Sequence, residues 1–407
     1  MSVRIIFVRH GETAANTGHV WQGQGDSGLS AAGKAQADDL GRRLSSWEFG
    51  PVVSSDLGRT LDTARIAGLV PEPDPVWREM NIGRWEGLTR TEVAEQYPEE
   101  LAALRRGEVV RMGGGETWAE FAERVDAAFE ALVGRLDDGD QGVVVAHGGV
   151  IHAVVSGVLG IRGLGRPWRV DRIRNTALTV VEADHRGRRV RVLNDATHTR
   201  TVPHPDETGP VVTLVRHGET EANVAGRWQG RTDGKLTERG LAQGAGLAGR
   251  LDGVAHVYAS PLLRARLTAE AFARAGGLAV REHPGLTEIA FGSWEDLTPE
   301  EARLADPETF HRVYDLGEDL PRGGTGESHG AAIRRLERVV GEMIAAHPEG
   351  SVGLFSHGGI IRAYAVAVAG LEHATRRRLS IPGNAAVSRI RIGEDGPTVA
   401  DYNVGLL

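Results

Sequence analysis

The most regular feature of the chain is a series of short apolar runs, each followed by a segment with the periodicity of an amphipathic helix. Residues Val3–Val8 and Val143–Ala146 are almost entirely apolar and have the length of strands buried on both faces of a parallel sheet. Predicted helices, several with Ser or Thr caps, cover Ser30–Trp47, Leu57–Gly68, Thr89–Leu104 and Thr117–Leu136. Strands that alternate with helices predict an α/β fold with a mostly parallel central sheet between two helical layers, a three-layer α/β/α domain.

The same pattern occurs twice in the 407 residues. Segment Phe7–Asn16 returns almost unchanged at Leu214–Asn223, and a period of roughly 200 residues indicates a duplicated domain rather than a solenoid. Four further blocks repeat in the same order: Trp21–Gly23 with Trp228–Gly230, Ser55–Arg59 with Ser260–Arg264, Glu79–Glu86 with Glu288–Glu295, and Ala146–Ile151 with Ser356–Ile361.

The junction between the repeats is the segment Thr201–Pro210, which is rich in proline, acidic and turn residues. It predicts one domain over residues 1–204 and a second over 205–407. A linker this short, with two closely spaced prolines, favours domains packed on each other over freely moving ones. The linker does not indicate an oligomeric state.

Composition excludes several classes of protein. Hydrophobic residues make up 41% of the chain and charged residues 25%, the balance of a globular protein. No apolar run approaches a membrane span, and Met1 leads directly into a strand-like segment, so we expect a cytoplasmic protein without a membrane partner. The net charge of −8 argues against a nucleic-acid partner. The chain has no cysteine, which excludes thiol nucleophiles and cysteine metal sites.

Polar residues capable of phosphate chemistry follow the predicted strands. In the first half these are Arg9–His10, Ser55–Arg59 and His147, and in the second half Arg216–His217, Ser260–Arg264 and His357. Because ligands in parallel α/β sheets bind beyond the carboxyl ends of the strands, we expect each set to converge at one edge of its sheet.

An imidazole beside a glycine at a strand end can act as a nucleophile, and His10 meets this requirement. Arg9 and Arg59 can present forked donors to phosphate oxygens, and His147, if protonated, would add a third positive group. Phosphoryl transfer needs such fixed positive donors, and here it requires neither a metal nor another cofactor. Glu79 is the candidate for protonating the leaving group and then activating water.

These blocks resemble the histidine phosphatase superfamily (branch 1, phosphoglycerate mutase-like). The resemblance rests on Arg-His-Gly-Glu-Thr, on Ser55–Ala64, on the Glu-x-x-x-Gly-x-Trp-Glu segments and on His-Gly-Gly, and it covers nearly the whole chain twice. It implies phosphorylated nucleophiles at His10 and His217 and proton donors at Glu79 and Glu288. The phosphoryl group would be held by Arg9, Arg59, His147, Arg216, Arg264 and His357. Positions that often contact phosphate or substrate in the family are Asn16, Gln22, Gly23, Asn223, Gln229 and Gly230.

The second half departs from the family pattern at two positions. Ala265 replaces the threonine that follows the arginine (Thr60 in the first half), and Asp296 replaces the glycine at Gly87. Neither change removes a catalytic group. We expect the lost hydroxyl at Ala265 to shift Arg264 slightly.

Three functions are compatible with the sequence. The leading hypothesis is a phosphomonoesterase acting on small phosphorylated metabolites through a phosphohistidine at each site. The compact domains favour it over a phosphoglycerate-type mutase, which returns the phosphoryl group to the substrate. In the third, one domain is catalytic and the other only binds phosphorylated ligands. The segments Arg84–Glu116 and Ser293–Glu327, expected to roof the pockets, differ strongly, which predicts different substrate preferences.

Overall fold

A computed structural model describes residues 2–161, 169–199, 208–249, 251 and 253–405. The chain divides into two compact units, the first formed by Met1–Trp168 and Arg172–Pro203 and the second by Arg169–Asp171 and His204–Leu407. The predicted boundary between residues 204 and 205 lies outside the described residues.

The described residues of the first unit contain six strands. They are β1 (Ser2–Arg9), β2 (Val52–Ser54), β3 (Glu72–Pro73), β4 (Gln141–Ala146), β5 (Leu178–Asp184) and β6 (Gly187–Asp195). Within this unit the spatial order is β3-β2-β4-β1-β5-β6. Strands β3, β2, β4 and β1 are parallel, whereas β5 and β6 are antiparallel to their neighbours. The predicted mostly parallel sheet is confirmed, with an antiparallel hairpin added beside β1.

Seven α-helices accompany these strands in the part of the unit that the structure describes. They are α1 (Ala14–Thr17), α2 (Ala31–Leu44), α3 (Gly58–Ile66), α4 (Arg90–Gln96), α5 (Pro98–Arg105), α6 (Trp118–Val133) and α7 (Gly148–Leu159). Short 3-10 turns lie at Pro75–Trp77, Gly83–Trp85 and Met112–Gly114. Helix α2 packs on α3 and α6 on α7, and almost every residue of β1 and β4 is buried. This burial fits strands covered by helices on both faces of the sheet.

One predicted helix is wrong in extent. The segment Thr89–Leu104 forms two helices, because α4 ends at Gln96 and α5 begins at Pro98. Tyr97, between them, has φ −131° and ψ 49°. A residue before proline is disfavoured in the helical region, and proline is favoured in the first turn of a new helix, so Pro98 explains the break.

The second unit repeats this architecture. Its strands are β7 (Val211–Arg216), β8 (His256–Ala259), β9 (Val280–Glu282), β10 (Val352–Ser356), β11 (Val387–Gly393) and β12 (Gly396–Val404), in the spatial order β12-β11-β7-β10-β8-β9. Its helices are α8 (Glu221–Val224), α9 (Glu238–Ala245), α10 (Leu263–Gly276), α11 (Pro299–Ala305), α12 (Pro307–Phe310), α13 (His329–Ala346) and α14 (Gly358–Val368). Short 3-10 turns lie at Gly246–Gly249, Pro284–Leu286, Gly292–Trp294 and His373–Arg378, and a π-helical turn at His311–Asp315.

Among the described residues, no helix combines the length and the apolar character needed to cross a membrane.

A close backbone contact fixes the loop that follows β1. Gly33, near the start of α2, lies so close to Glu12 that a Cβ atom there would stand 2.0 Å from the Glu12 carbonyl oxygen. Gly28, a few residues earlier, has no atom within 4 Å of the corresponding Cβ position.

We therefore expect Gly33→Ala to destabilise the first unit by about 1–3 kcal/mol, because backbone must move to admit the methyl group. Gly28→Ala is the matched control and should change the free energy of unfolding by less than about 0.5 kcal/mol. Urea unfolding followed by tryptophan fluorescence measures both. Equal effects of the two variants would contradict the packing argument.

Candidate active site

His10 begins the loop after β1 and is 4% exposed. Its Nδ1 lies 2.7 Å from the carbonyl oxygen of Gly11. A carbonyl oxygen only accepts hydrogen bonds, so Nδ1 carries the proton and Nε2 keeps its lone pair. Burial, followed by the charges of Arg9 and Arg59, holds the pKa of His10 well below its usual value. The buried imidazole is therefore neutral near pH 7, with Nε2 free to attack as a nucleophile.

Two arginines flank this histidine, and backbone carbonyls orient both. NH1 of Arg9 donates to the Ile173 carbonyl at 2.7 Å. Arg59, at the start of α3, donates from NH2 to the Gly23 carbonyl at 2.8 Å and from NH1 to the Gly25 carbonyl at 2.6 Å. Burial and then Arg172 lower the pKa of Arg9 to about 9, so its guanidinium remains charged at neutral pH.

His147 follows β4 and is fully buried, with its ring centroid 5.4 Å from that of His10. Burial and the charge of Arg59 hold the pKa of His147 well below its usual value, so the ring is neutral rather than a third positive group. Its Nε2 lies 2.9 Å from the Ser55 hydroxyl. If that hydroxyl donates to Nε2, the proton of the neutral ring lies on Nδ1, which can then donate to a phosphate oxygen.

Several donors around His10 lack a partner. Nε of Arg9, Nε of Arg59 and Nδ1 of His147 are buried without a hydrogen-bond partner among the described residues. Buried polar atoms are otherwise almost always paired, and three unpaired donors around one imidazole are the arrangement expected of an oxyanion site.

Glu79 lies beside these donors at the start of a helix. Its Oε2 accepts from the Gly149 N–H in the first turn of α7, and its Oε1 accepts from the Met80 N–H, both at 2.9 Å. A Cβ atom on Gly149 would stand 2.1 Å from Glu79 Oε1, so this close approach requires glycine. Backbone donors thus fix the carboxyl group that was predicted as the proton donor.

The second unit repeats this geometry. Nδ1 of His217 lies 2.7 Å from the Gly218 carbonyl oxygen, and the His217 and His357 ring centroids are 5.2 Å apart. Glu288 accepts from the Ile289, Gly359 and Ile360 N–H groups, each at 2.9 Å. The unpartnered donors are again the equivalent ones among the described residues: Arg216 Nε, Arg264 Nε and His357 Nδ1. Both predicted sets therefore converge.

Neither sequence departure disturbs the second site. The Thr60 hydroxyl lies within hydrogen-bond distance of the Ser55 and Leu57 carbonyls and makes no contact with the Arg59 guanidinium. Arg264, beside Ala265, still donates to the Gly230 and Thr232 carbonyls, the counterparts of the Gly23 and Gly25 carbonyls that Arg59 contacts. The hydrogen-bond partners are therefore kept without the hydroxyl.

Asp296 adopts a φ of 62°, close to the 81° of Gly87. Aspartate is among the residues that tolerate this left-handed region. The turn is therefore kept in the second unit despite the loss of glycine.

The predicted substrate-binding residues take two kinds of position. Gly23 and Gly230 act through their carbonyls, which orient Arg59 and Arg264. The other four predicted side chains each accept a hydrogen bond beside a histidine loop. In the first unit Thr13 donates to Gln22 and Asn175 donates to Asn16, and in the second Thr220 donates to Gln229 and Asn384 to Asn223.

The sequence indicated no role for two further pairs of supporting residues, although Ser55 and Ser260 begin segments that were predicted to converge. Ser55 and Ser260 contact the second histidine of each site, each at 2.9 Å. Thr63 and Thr268 link the arginine helix to the histidine loop. The Thr63 hydroxyl donates to the Arg59 carbonyl and accepts from the Gly11 N–H. Their recurrence at the same position in both repeats was the available signal.

The protein should bind inorganic phosphate at two sites, and we expect Thr63→Ala to weaken the affinity of the first site about tenfold. The buried N–H of Gly11 loses its acceptor, and the histidine loop loses its link to α3. Thr60→Ala is the matched control, because Thr60 is also buried and lies on the same helix. It should change the dissociation constant by less than about threefold, since the second unit keeps the equivalent arginine contacts with alanine at this position. Calorimetric titration with phosphate measures both. Similar losses in the two variants would contradict the assigned role of Thr63.

The lowered pKa values of His10 and His217 predict that both imidazoles stay neutral and protonated at Nδ1 when the pH falls from 8 to 5. An ordinary histidine would be mostly charged at pH 5. Nitrogen-15 NMR of the imidazole rings, assigned with His10→Ala and His217→Ala, distinguishes the two cases. A titration midpoint near 6.5 for either ring would show that burial does not control its charge.

Several known proteins are similar to one repeat. The chain is 34% identical over 189 residues to a probable phosphoglycerate mutase GpmB of Yersinia enterocolitica, a match covering 44% of this chain and 85% of that protein. A probable phosphoglycerate mutase GpmB of Erwinia tasmaniensis is 33% identical over 185 residues, with the same shares.

Two solved structures are also similar. A mycobacterial glucosyl-3-phosphoglycerate phosphatase is 28% identical with a TM-score of 0.44, covering 48% of this chain and all of that one. A phosphoserine phosphatase from Entamoeba histolytica is 27% identical with a TM-score of 0.45, covering 48% and 98%.

The family comparison covers nearly the whole chain. The model of the histidine phosphatase superfamily (branch 1) matches residues 5–196 and again residues 212–405. These two matches contain every strand-end histidine and arginine described above. The chain therefore belongs to the histidine phosphatase superfamily (branch 1), as a tandem repeat of its domain.

Proposed function

We propose that the protein is a phosphomonoesterase that hydrolyses small phosphorylated metabolites at two sites, one in each unit. The observation that carries the proposal is the set of buried, unpartnered donors around each neutral strand-end imidazole. Fixed donors of this kind stabilise the charge on a phosphoryl group during transfer.

In the first half-reaction, His10 Nε2 attacks the phosphorus atom. The phosphorus–nitrogen bond forms as the bond to the ester oxygen breaks, and Arg9, Arg59 and His147 hold the three equatorial oxygens. Glu79, in its protonated form, gives its proton to the leaving alkoxide.

In the second half-reaction, the Glu79 carboxylate takes a proton from a water molecule that attacks the phosphohistidine. The phosphorus–nitrogen bond breaks, inorganic phosphate leaves, and His10 and protonated Glu79 are restored. His217, Arg216, Arg264, His357 and Glu288 carry out the same steps in the second unit.

A phosphoglycerate-type mutase is the second candidate, favoured by the names of the similar Yersinia and Erwinia proteins. It would share the first half-reaction and return the phosphoryl group to a substrate hydroxyl. The compact repeats, which match the family over residues 5–196 and 212–405, favour hydrolysis.

Four proteins test these alternatives: wild type, His10→Ala, His217→Ala and the double variant. We expect each single variant to keep part of the phosphate release from a panel of phosphate esters, and the double variant to lose at least about 10³-fold, because no nucleophile remains. The panel should also show different substrate preferences for the two single variants.

Isomerisation of 3-phosphoglycerate is followed in parallel, and circular dichroism controls for folding. An isomerised product that retains its phosphoryl group would support the mutase instead. Complete loss of release in one single variant would indicate one catalytic and one binding unit.

A further inference from the structure

The second unit carries two stacked histidines at the amino ends of its parallel strands. His256 is the first residue of β8, and His347 immediately follows α13. Their ring centroids are 3.7 Å apart, with 20° between the ring planes. The candidate active site lies at the opposite ends of these strands, where Ser260 follows β8 and His357 follows β10. The reaction proposed at His217 therefore does not use this pair.

An exposed carboxylate completes a set of three possible metal ligands. Glu349 lies two residues after His347, and the ligand atoms of Glu349, His256 and His347 all lie within 4.8 Å of one another. Ligand atoms around a tetrahedral zinc ion stand about 3.3 Å apart, because the bonds to zinc are about 2.0–2.2 Å long. Rotation of the Glu349 side chain and a small opening of the stacked rings bring the three atoms to that spacing.

Backbone hydrogen bonds hold the loop after α13 against the start of β8. The Ala255 and His256 N–H groups both donate to the Ser351 carbonyl, at 2.8 and 3.1 Å. The Gly350 N–H donates to the His347 carbonyl at 2.9 Å. The two histidines are therefore held together by the fold itself, which lowers the entropic cost of binding an ion between them.

Tyr258 supplies the second contact that a metal-binding histidine needs. Its hydroxyl lies 3.0 Å from Nε2 of His347 and accepts from NH1 of Arg281 at 3.1 Å. If Nε2 of His347 donates to the hydroxyl oxygen, Nδ1 of the same ring keeps its lone pair for a metal ion. Histidines that bind metals almost always donate their other ring N–H to an oxygen in this way. The Tyr258 contact therefore favours coordination through Nδ1.

A second group of possible ligands suits a cation less well. Among the described residues it consists of Asp319, His329 and His373. NH2 of the buried Arg322 lies 2.7 Å from Nδ1 of His329, so a metal ion there would compete with this hydrogen bond and repel the guanidinium. Arg281, by contrast, is exposed and contacts the Tyr258 hydroxyl rather than a ring nitrogen.

The first unit does not repeat this set of ligands. We counted back from the serine after the second strand and from the second histidine of each repeat. The positions equivalent to the three ligands are then Pro51, Asp137 and Gly139. Proline and glycine offer no ligand atom in their side chains, so the set belongs to the second unit.

We propose that His256, His347 and Glu349 bind a Zn²⁺ ion, with water in the remaining position, at a site separate from phosphoryl transfer. Two imidazoles and one carboxylate are an established type of zinc ligand set. The ion joins the loop after α13 to the first residue of β8. It therefore stabilises the second unit without contacting the substrate.

The test uses the full chain with His10→Ala and His217→Ala as the parent. These substitutions remove the two active-site imidazoles as competing ligands and make the result independent of the proposed hydrolysis. After metal is removed with EDTA, calorimetric titration with zinc chloride measures the number and affinity of bound ions. We expect His256→Ala, His347→Ala and Glu349→Gln each to weaken the same zinc-binding event at least about tenfold, because each removes one ligand.

Tyr258→Phe tests the assigned orientation of the His347 ring. It keeps the aromatic ring and removes only the hydroxyl, so it should weaken the same event about tenfold to a hundredfold, the usual effect of losing such a supporting contact. An unchanged zinc affinity would show that His347 does not bind through Nδ1 with Tyr258 as its partner.

His283→Ala is the matched control. His283 lies in the same unit and pairs with Glu342 at 3.1 Å, and this pair belongs to no group of three possible ligands among the described residues. The substitution should change the zinc affinity by less than about threefold, because it removes no ligand. Zinc should also raise the midpoint of thermal unfolding more in the parent than in Glu349→Gln, since an ion that binds only the folded state stabilises it.

Circular dichroism verifies that each variant is folded. Glu349→Gln changes an exposed side chain and keeps the test valid even if a histidine variant does not fold. A parent chain that binds no zinc, an affinity unchanged by all three ligand substitutions, or an equal loss in His283→Ala would each overturn the proposal.

Discussion

Each unit depends on holding charged guanidiniums at a buried site with some of their N–H donors unpaired. Two charged guanidiniums, those of Arg9 and Arg59, and the neutral ring of His147 converge on one imidazole. The desolvation of these groups and the repulsion between the two guanidiniums oppose folding unless the surrounding backbone holds them. Carbonyl groups supply that support. A carbonyl accepts a hydrogen bond without bringing a full negative charge, so it orients a guanidinium and leaves its positive charge available for an anion. Arg59 also forms an ion pair with Asp26, whose Oδ1 lies 3.4 Å from its NH1.

The neighbouring elements follow from this requirement. Glycines allow the backbone to approach closely at Gly11, Gly33 and Gly149, where a Cβ atom would meet neighbouring backbone or the Glu79 carboxyl group. The Thr63 hydroxyl joins the histidine loop to the arginine helix. The parallel strands β1, β2 and β4 then bring the separate loops to one edge of the sheet. Each feature lowers the free energy needed to bring the charged groups together at that edge.

Comparison of the two repeats separates the residues needed for phosphoryl transfer from the segments that surround the substrate. The histidine, arginine and glutamate contacts recur with nearly equal distances in both units, and the tolerated changes at Ala265 and Asp296 affect turns rather than donors. The segments predicted to roof the two sites, Arg84–Glu116 and Ser293–Glu327, differ strongly in sequence. The two units therefore combine the same phosphoryl-transfer residues with different surrounding segments.

The sequence by itself determined the duplication, the α/β fold and the convergence of each predicted site, because strand periodicity and motif order directly encode which loops meet at the sheet edge. It did not determine the neutral state of His147, the break at Tyr97 or the carbonyl partners of Arg264. Burial decides the first, a following proline the second, and the packing of loops distant along the chain the third.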